Sequence, residues 1–512
     1  MPEKETHGPR RETAAMSVRG AAVWAMAGQY LSFAIQFASS VVISRFFLSP
    51  GEVGLFSIAL AAALLVAILQ DFGLSRYISG LPAVGEDEVR RCSSVALLFS
   101  LIVAGGISLL AWPLAYAYGQ PYLRPLLTII SASYLFLPLA AVPMALLARE
   151  MRFDGHFAIS VGAAGVQALV AIVLGWLGYS SFALAWSTVA AAVARGLIAQ
   201  MLRPALPWPL RLDGLGTVVS FGSRSSALYL TGALGTRTPD LIIGKLLTLA
   251  AVGLYSRAAS LSDQFRTLIS GAIGSVFFPA FARIRDRGED LGPPYLRVCA
   301  GYSAVVWPGM AGLALAAEPI VRLLYGESWM GVAPLLTMIS LAEILLVSLP
   351  LVSDLPILLG RLNKLLVLNM IDTGLSLLLL ALGAWWGGVE GAAASRLVYA
   401  VLWLAIYARF IHGLVRCEPG RLFSIYLRSA LVTAAAVAPL LLTYALWRGP
   451  GQIGAAALLG ATLAGAMCWL CSLALLRHPA LAEILGMFEM LPLVRRLPLG
   501  RMLGASSQEQ QA

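Results

Sequence analysis

The residues of this chain equipped for chemistry are ionisable groups set in apolar surroundings. From Ser220 to Gln264 the sequence reads SFGSRSSALYLTGALGTRTPDLIIGKLLTLAAVGLYSRAASLSDQ, two long apolar segments joined by a short turn, and it carries Arg224, Arg237, Asp240, Arg257 and Asp263. An ionised side chain at bilayer depth costs roughly 2.5–3.5 kcal/mol on insertion scales, so such groups face a protein interior or a wet cavity. Arginine there suits an anion, because its planar fork donates two hydrogen bonds to one phosphate or carboxylate. A carboxylate there suits a cation, because burial raises its pKa and makes proton exchange possible. Both kinds of group occur elsewhere in apolar segments: Arg396 with Tyr399 following, Asp71, Glu343, Asp354 and Asp372.

The elements that must position these side chains are membrane helices. Of 512 residues 59% are hydrophobic and 12% charged, and mean hydropathy is +0.82. Apolar segments fall at about 20–44, 53–79, 93–118, 124–148, 157–178, 181–202, 216–243, 253–281, 295–318, 332–360, 365–387, 389–411, 424–446 and 452–476. The fold class is therefore an all-α polytopic membrane protein of about 14 spans, because only helices or closed barrels satisfy the backbone in a bilayer and no alternating strand pattern is present. The first 16 residues are polar and contain acids, and no cleaved signal is expected. With the N-terminus in the cytosol, about 22 of the 36 Lys+Arg fall on the inner side and about 5 on the outer, which places both termini inside. The net charge of +10 reads as a topology signal and an attraction to anionic headgroups, with no nucleic acid implied.

An internal echo orders the spans. RFFLSPGEVGLFS (Arg45 to Ser57) resembles KLLTLAAVGLYS (Lys245 to Ser256), about 200 residues apart, which argues for two repeats related by pseudo-symmetry. The Pro-rich stretch from Arg203 to Gly214 cannot continue a helix and separates them. The expected layout is a cytosolic segment 1–19, an N-lobe 20–202 of six helices, a linker 203–215, a C-lobe 216–412 of six helices, two added helices in 413–476, and a cytosolic tail 477–512. In that tail Leu481, Ile484, Leu485 and Phe488 share a helical face ahead of Arg495, Arg496 and Arg501, the pattern of a helix on the inner membrane surface.

The segments VRGAAVWAMAGQYLSFAIQFASSVVISRFFLSPGEVGLFSIA, QDFGLSRYISG, ALLAREMRFDGHFAI, TPDLIIGKLLTLAAVGLYSRAASL and LLYGESWMGVAPLL, in this order over about residues 17–415, resemble the polysaccharide (Wzx-type) flippases of the MOP exporter superfamily. The resemblance implies twelve core helices in two lobes around a central cavity, often with two extra helices. It implies alternating access that moves an undecaprenyl-diphosphate-linked oligosaccharide from the inner to the outer leaflet of a bacterial inner membrane. Its expected partners are that substrate, membrane lipids, and the polymerase and glycosyltransferases of the same pathway; no cofactor or metal is expected.

Such a cargo needs cations for phosphate and a polar path for sugar. Arg224 shares a wet stripe with Ser220, Ser223 and Thr231, or else snorkels to the inner surface. Arg237 and Asp240 form either a neutralised pair or a binding site, with Pro239 between them expected to break the helix. Arg257, Ser260 and Gln264 line one face as cavity ligands, while Asp263 pairs with Arg266 as a structural bridge. In the first lobe Arg19, Gln29 and Gln36, with Arg76 near the inner end of the second span, suit a cationic cavity, although Arg19 and Arg76 suit lipid phosphate equally. Arg396 is a further cavity candidate; Arg195 and Arg428 read as snorkelling residues. For ion coupling the candidates are Asp71, Glu343 and Asp354, with Asp240 and Asp372 beside them; Pro350 and Pro356 flank Asp354 and must distort the tenth span.

Enzymatic readings have little support. His7, His156, His412 and His478 fall far apart in expected inner loops or tails, and no catalytic triad or metal spacing is present. Cys468 and Cys471 form a CxxC within the last span with no second pair at metal spacing, and no disulfide framework is suggested. A polymerase or ligase of glycan assembly is expected to carry a long outer loop, and the longest here is about a dozen residues. A MATE-like drug exporter of the same superfamily would favour acids over arginines in its cavity. A lipid II flippase is the nearest alternative.

Overall fold

The computed structural model describes residues 18–68, 77–78, 81, 84–206, 210, 234–447 and 449–481. Among these the chain is helical throughout, with no strand, as a bilayer demands of a segment that must satisfy its own backbone. The chain divides into two compact units, Met1–Arg237 and Thr238–Ala512.

In the first unit α1 (Val18–Phe46) is followed by α2 (Pro50–Ala67), α3 (Glu86–Tyr118), α4 (Leu123–Leu135), α5 (Pro138–Arg149), α6 (Phe153–Trp176) and α7 (Ser181–Leu202). The motif at Ser49 explains the start of α2: Pro50 sits at its first position, and the Ser49 N–H donates to Glu52 Oε2 at 2.7 Å, closing a capping box. The Ser180 hydroxyl also bonds Glu52, and Ser181 Oγ donates to the Glu52 carbonyl at 2.7 Å, so one cap joins two helix starts. The expected fourth span, 124–148, is α4 and α5 meeting at 42°, with Pro138 opening the second piece. Helix α1 packs along α6, and α6 along α7. Glycines permit these close approaches: a Cβ on Gly28 would lie 3.2 Å from Phe157 Cα, and one on Gly162 would lie 2.7 Å from Ile198 Cδ1.

Helix α8 occupies 234–246, and its backbone is helical through Pro239, so the local break expected there is absent among the described residues. The ring still removes one backbone donor from the helix. The second unit continues with α9 (Leu249–Asp286), α10 (Gly292–Leu315), α11 (Ala317–Leu324), α12 (Val332–Leu346), α13 (Asp354–Leu358), α14 (Leu362–Val415), α15 (Pro419–Leu446) and α16 (Ala455–Leu475). Thr248 caps α9, its Oγ1 accepting from the Ala251 N–H at 3.2 Å. Ser49 and Thr248 stand at matching places in the echoed motif, each four residues before its Val-Gly-Leu. The tenth span is not continuous over 332–360. Helix α12 ends at Leu346 and turns lead to the five-residue α13, because Pro350 and Pro356 withhold the donors a longer helix needs.

Helix α14 contains a reversal. Gly387 (φ −129°, ψ 19°) and Gly388 (φ 60°, ψ −147°) are non-helical, and the second lies where only glycine is comfortable. The two arms then run antiparallel. A Cβ on Gly383 would strike the Gly391 carbonyl and one on Gly391 the Gly383 carbonyl, while Tyr407 Oη donates to Asn369 Oδ1 at 2.8 Å. These arms correspond to the expected spans 365–387 and 389–411. Among the described residues nine helices are long and apolar enough to cross a membrane, ten with α4 and α5 taken as one span. That count takes α14 once although its two arms match two expected spans, and it is fewer than the fourteen expected; most of the expected seventh span lies outside the described residues.

Candidate functional site

In the second unit the ionisable groups converge on Glu343. Its carboxylate sits on α12, 8% exposed, because α9 and α14 both pack against that helix. Arg396 Nη2 from α14 donates to Glu343 Oε1 at 3.0 Å, and Arg266 Nε from α9 lies 3.3 Å from Oε2. Arg266 also bonds Asp263, so the expected Asp263–Arg266 bridge is present and extends to an acid in another helix. Unsatisfied polar atoms accompany this chain of charges. Arg396 Nε, Ser340 Oγ, Tyr255 Oη and Asp372 Oδ1 are buried without a hydrogen-bond partner among the described residues, a condition that costs about 1–3 kcal/mol for each neutral group unless water or a ligand supplies the bond.

Arg257 lies toward the start of α9. Its Cζ stands 5.8 Å from the ring centroid of the fully buried Trp329, within cation–π range, and Trp329 is held in a short 3₁₀ turn beside Tyr325, 6.0 Å away. Gln264 Nε2 donates to Ser260 Oγ at 3.1 Å along the expected face. Arg237 is exposed and Asp240 half-buried on α8. Asp354 is exposed in the first turn of α13, at a helix start rather than within a span. Arg224, Asp71, Arg76 and the side chain of Arg19 lie outside the described residues.

The first unit holds a separate cavity of about 450 Å³. Helix α1 contributes Gln29, Ser32, Phe33 and Gln36, an i, i+3, i+4, i+7 stripe. Helix α6 faces it with the same spacing, Phe153, His156, Phe157 and Ser160, and α7 adds Arg195. Arg195 therefore lines a cavity, where a snorkelling role had been expected. His156 belongs to the first turn of α6 instead of a loop, with Nε2 2.8 Å from the Met144 carbonyl; a carbonyl only accepts, so this nitrogen carries a proton. His412 likewise lies within α14. The matching stripes were the sequence signal for this cavity, and Gln29 and Gln36 alone were read from it.

Helical units with ionised side chains buried among apolar spans define a membrane transporter fold, and solved structures share it. The chain resembles the lipid II flippase MurJ in an inward closed conformation, with a TM-score of 0.69 over 89% of this chain and 98% of that one at 13% identity. It also resembles an inward-facing MATE family multidrug transporter of the MOP superfamily, with a TM-score of 0.57 over 76% and 98% at 16% identity. Residues 42–334 match the family model described as polysaccharide biosynthesis protein, more than half of the sequence, and the chain belongs to that family. Among its relatives are the succinoglycan biosynthesis transport protein ExoT of Rhizobium meliloti (strain 1021), 26% identical over 62% of this chain and 65% of its own. Another is the lipopolysaccharide biosynthesis protein WzxC of Escherichia coli (strain K12), 22% identical over 63% and 66%. The matched region spans just under two thirds of each of these two proteins.

Proposed function

We propose that this protein is a flippase that carries undecaprenyl-diphosphate-linked oligosaccharide repeat units from the cytoplasmic to the periplasmic leaflet of a bacterial inner membrane by alternating access, both termini lying in the cytoplasm. The observation that carries the reading is the Arg266–Glu343–Arg396 chain with its unsatisfied polar neighbours, in a member of a polysaccharide biosynthesis family. Arg257, beside Trp329, and Arg396, on Glu343, supply guanidiniums suited to an anionic cargo. Arg257 and Arg396 are assigned to cargo, together with Gln264, Arg237, Asp240, Arg224, Arg19 and Arg76 as further polar contacts. Glu343, bonded by two guanidiniums, is nearer a counter-ion than a proton carrier, which leaves Asp71 and Asp354 as coupling groups. The lobes are assigned to 20–202 and 216–412. Chemistry on the glycan forms no part of the mechanism.

The test is leaflet transfer in inner-membrane vesicles loaded with the lipid-linked oligosaccharide, read by lectin accessibility. Wild type moves the sugar, and Arg257→Ala or Arg396→Ala slows transfer about tenfold or more at equal protein level, the value of one charge-assisted contact. Elongation of the glycan or its transfer to another acceptor, without movement across the membrane, would instead make the protein an enzyme.

A further inference from the structure

Arg195 is a half-buried cation on a membrane helix, and among the described residues no carboxylate lies within ion-pair distance of it. The described residues that line its cavity include no acid either. An isolated charge in such a place is costly until an anion reaches it. Beside it Ser32 Oγ, on a residue 8% exposed, is buried with no hydrogen-bond partner. Gln29 and Gln36 add two amides, each able to donate and accept, and Phe33 and Phe157 add apolar ring faces. His156 binds the Met144 carbonyl through its Nε2 at 2.8 Å, which fixes its ring at the rim of the cavity. The volume of about 450 Å³ lies within the usual range of small-molecule sites, roughly 300–1,000 Å³.

Amides, hydroxyls and aromatic faces around one cation match one ligand chemistry: a pyranose ring that bears a single negative charge. We propose that the cavity of the first unit binds a carboxylate-bearing sugar residue of the transported oligosaccharide, with Arg195 pairing the carboxylate and Gln29, Ser32 and Gln36 bonding ring hydroxyls. The proposal rests on the reading of the cargo as a lipid-linked oligosaccharide and narrows it to an acidic one. A diphosphate is the weaker occupant, because it brings at least two negative charges to a cavity with one cation among its described lining residues.

Full-length protein in nanodiscs is titrated with cellobiouronic acid, with its neutral counterpart cellobiose, and with inorganic diphosphate, by saturation-transfer NMR. Wild type prefers the acid over cellobiose about tenfold or more. Arg195→Gln removes that preference while cellobiose binding holds, and Arg195→Lys restores part of it. Equal binding of acid and neutral sugar by wild type overturns the proposal, as does a preference that survives in Arg195→Gln. Displacement of the acid by equimolar diphosphate also overturns it and assigns Arg195 to phosphate. Should Arg195→Gln fail to fold, wild type with the acid against its methyl ester decides the matter, equal affinity again being the overturning result. Loss of leaflet transfer with the acid preference intact would remove the transport reading and leave the site.

Discussion

Among the described residues Glu343 is the one acid on which cations from two other helices converge, each of its oxygens taking one guanidinium. Removing it leaves Arg396 without its carboxylate, a change that costs about 3–5 kcal/mol when one partner of a buried pair is lost, while Arg266 keeps Asp263. Glu343→Ala should therefore lower the melting temperature of the detergent-solubilised protein sharply. Glu343→Ala combined with Arg396→Met should recover part of the loss, whereas additive losses would show that the two side chains do not interact. His478, 2% exposed, ends a second polar chain. Its Nδ1 accepts from the Ala480 N–H at 3.2 Å, so Nε2 bears the hydrogen and donates to Ser429 Oγ at 3.0 Å; that hydroxyl meets Ser303 Oγ at 2.8 Å. Burial, helped by the charge of Arg428, holds the His478 pKa below its usual value. The unfolded chain then takes up the proton more readily than the folded one, so this contribution to stability is complete above the ordinary value of 6.5 and is lost as pH falls below it. A melting temperature that drops from about pH 7.5 to about pH 5.5 in wild type, and not in His478→Gln, checks the sign. The sequence marked Glu343, Arg396 and the Asp263–Arg266 bridge as separate features. Their junction was not legible, since it joins residues 77 and 53 positions apart, and only helix packing brings them together.

Helices were more legible than junctions, because spans of about 20 apolar residues are written continuously in the chain. The two arms of α14 illustrate this: the sequence placed a break between 387 and 389, and the structure turns there on Gly387 and Gly388. Proline was a less faithful guide. Pro350 and Pro356 do interrupt the tenth span, yet Pro239 is carried inside α8, since a single proline removes one bond while neighbouring turns hold the rest. The α14 hairpin yields the prediction at this scale. Because a Cβ on Gly391 collides with the Gly383 carbonyl, and backbone cannot step aside as a side chain can, Gly391→Ala should force the arms apart. Overpacking of this kind costs about 1–3 kcal/mol or more, and thermal unfolding in detergent measures it. Gly387→Ala, at a position with open space around it, should cost less.

For the molecule as a whole, composition and span pattern sufficed to reach the class, and the echoed motif marks two helix starts, capped by Ser49 and Thr248, about 200 residues apart. Depth in the membrane is a different quantity, and the α14 hairpin supplies it. Trp385 and Trp386 at its tip are 74% and 81% exposed, and tryptophan settles at the level of lipid headgroups. The tip thus works as a depth gauge fixed to the chain. Counting down the second arm at about 1.5 Å per residue puts Arg396 about 13 Å below the turn, close to the middle of a hydrocarbon layer about 30 Å thick. On that scale the guanidinium and its carboxylate share a level near the middle of the apolar layer, where bulk water competes least for the bond between them.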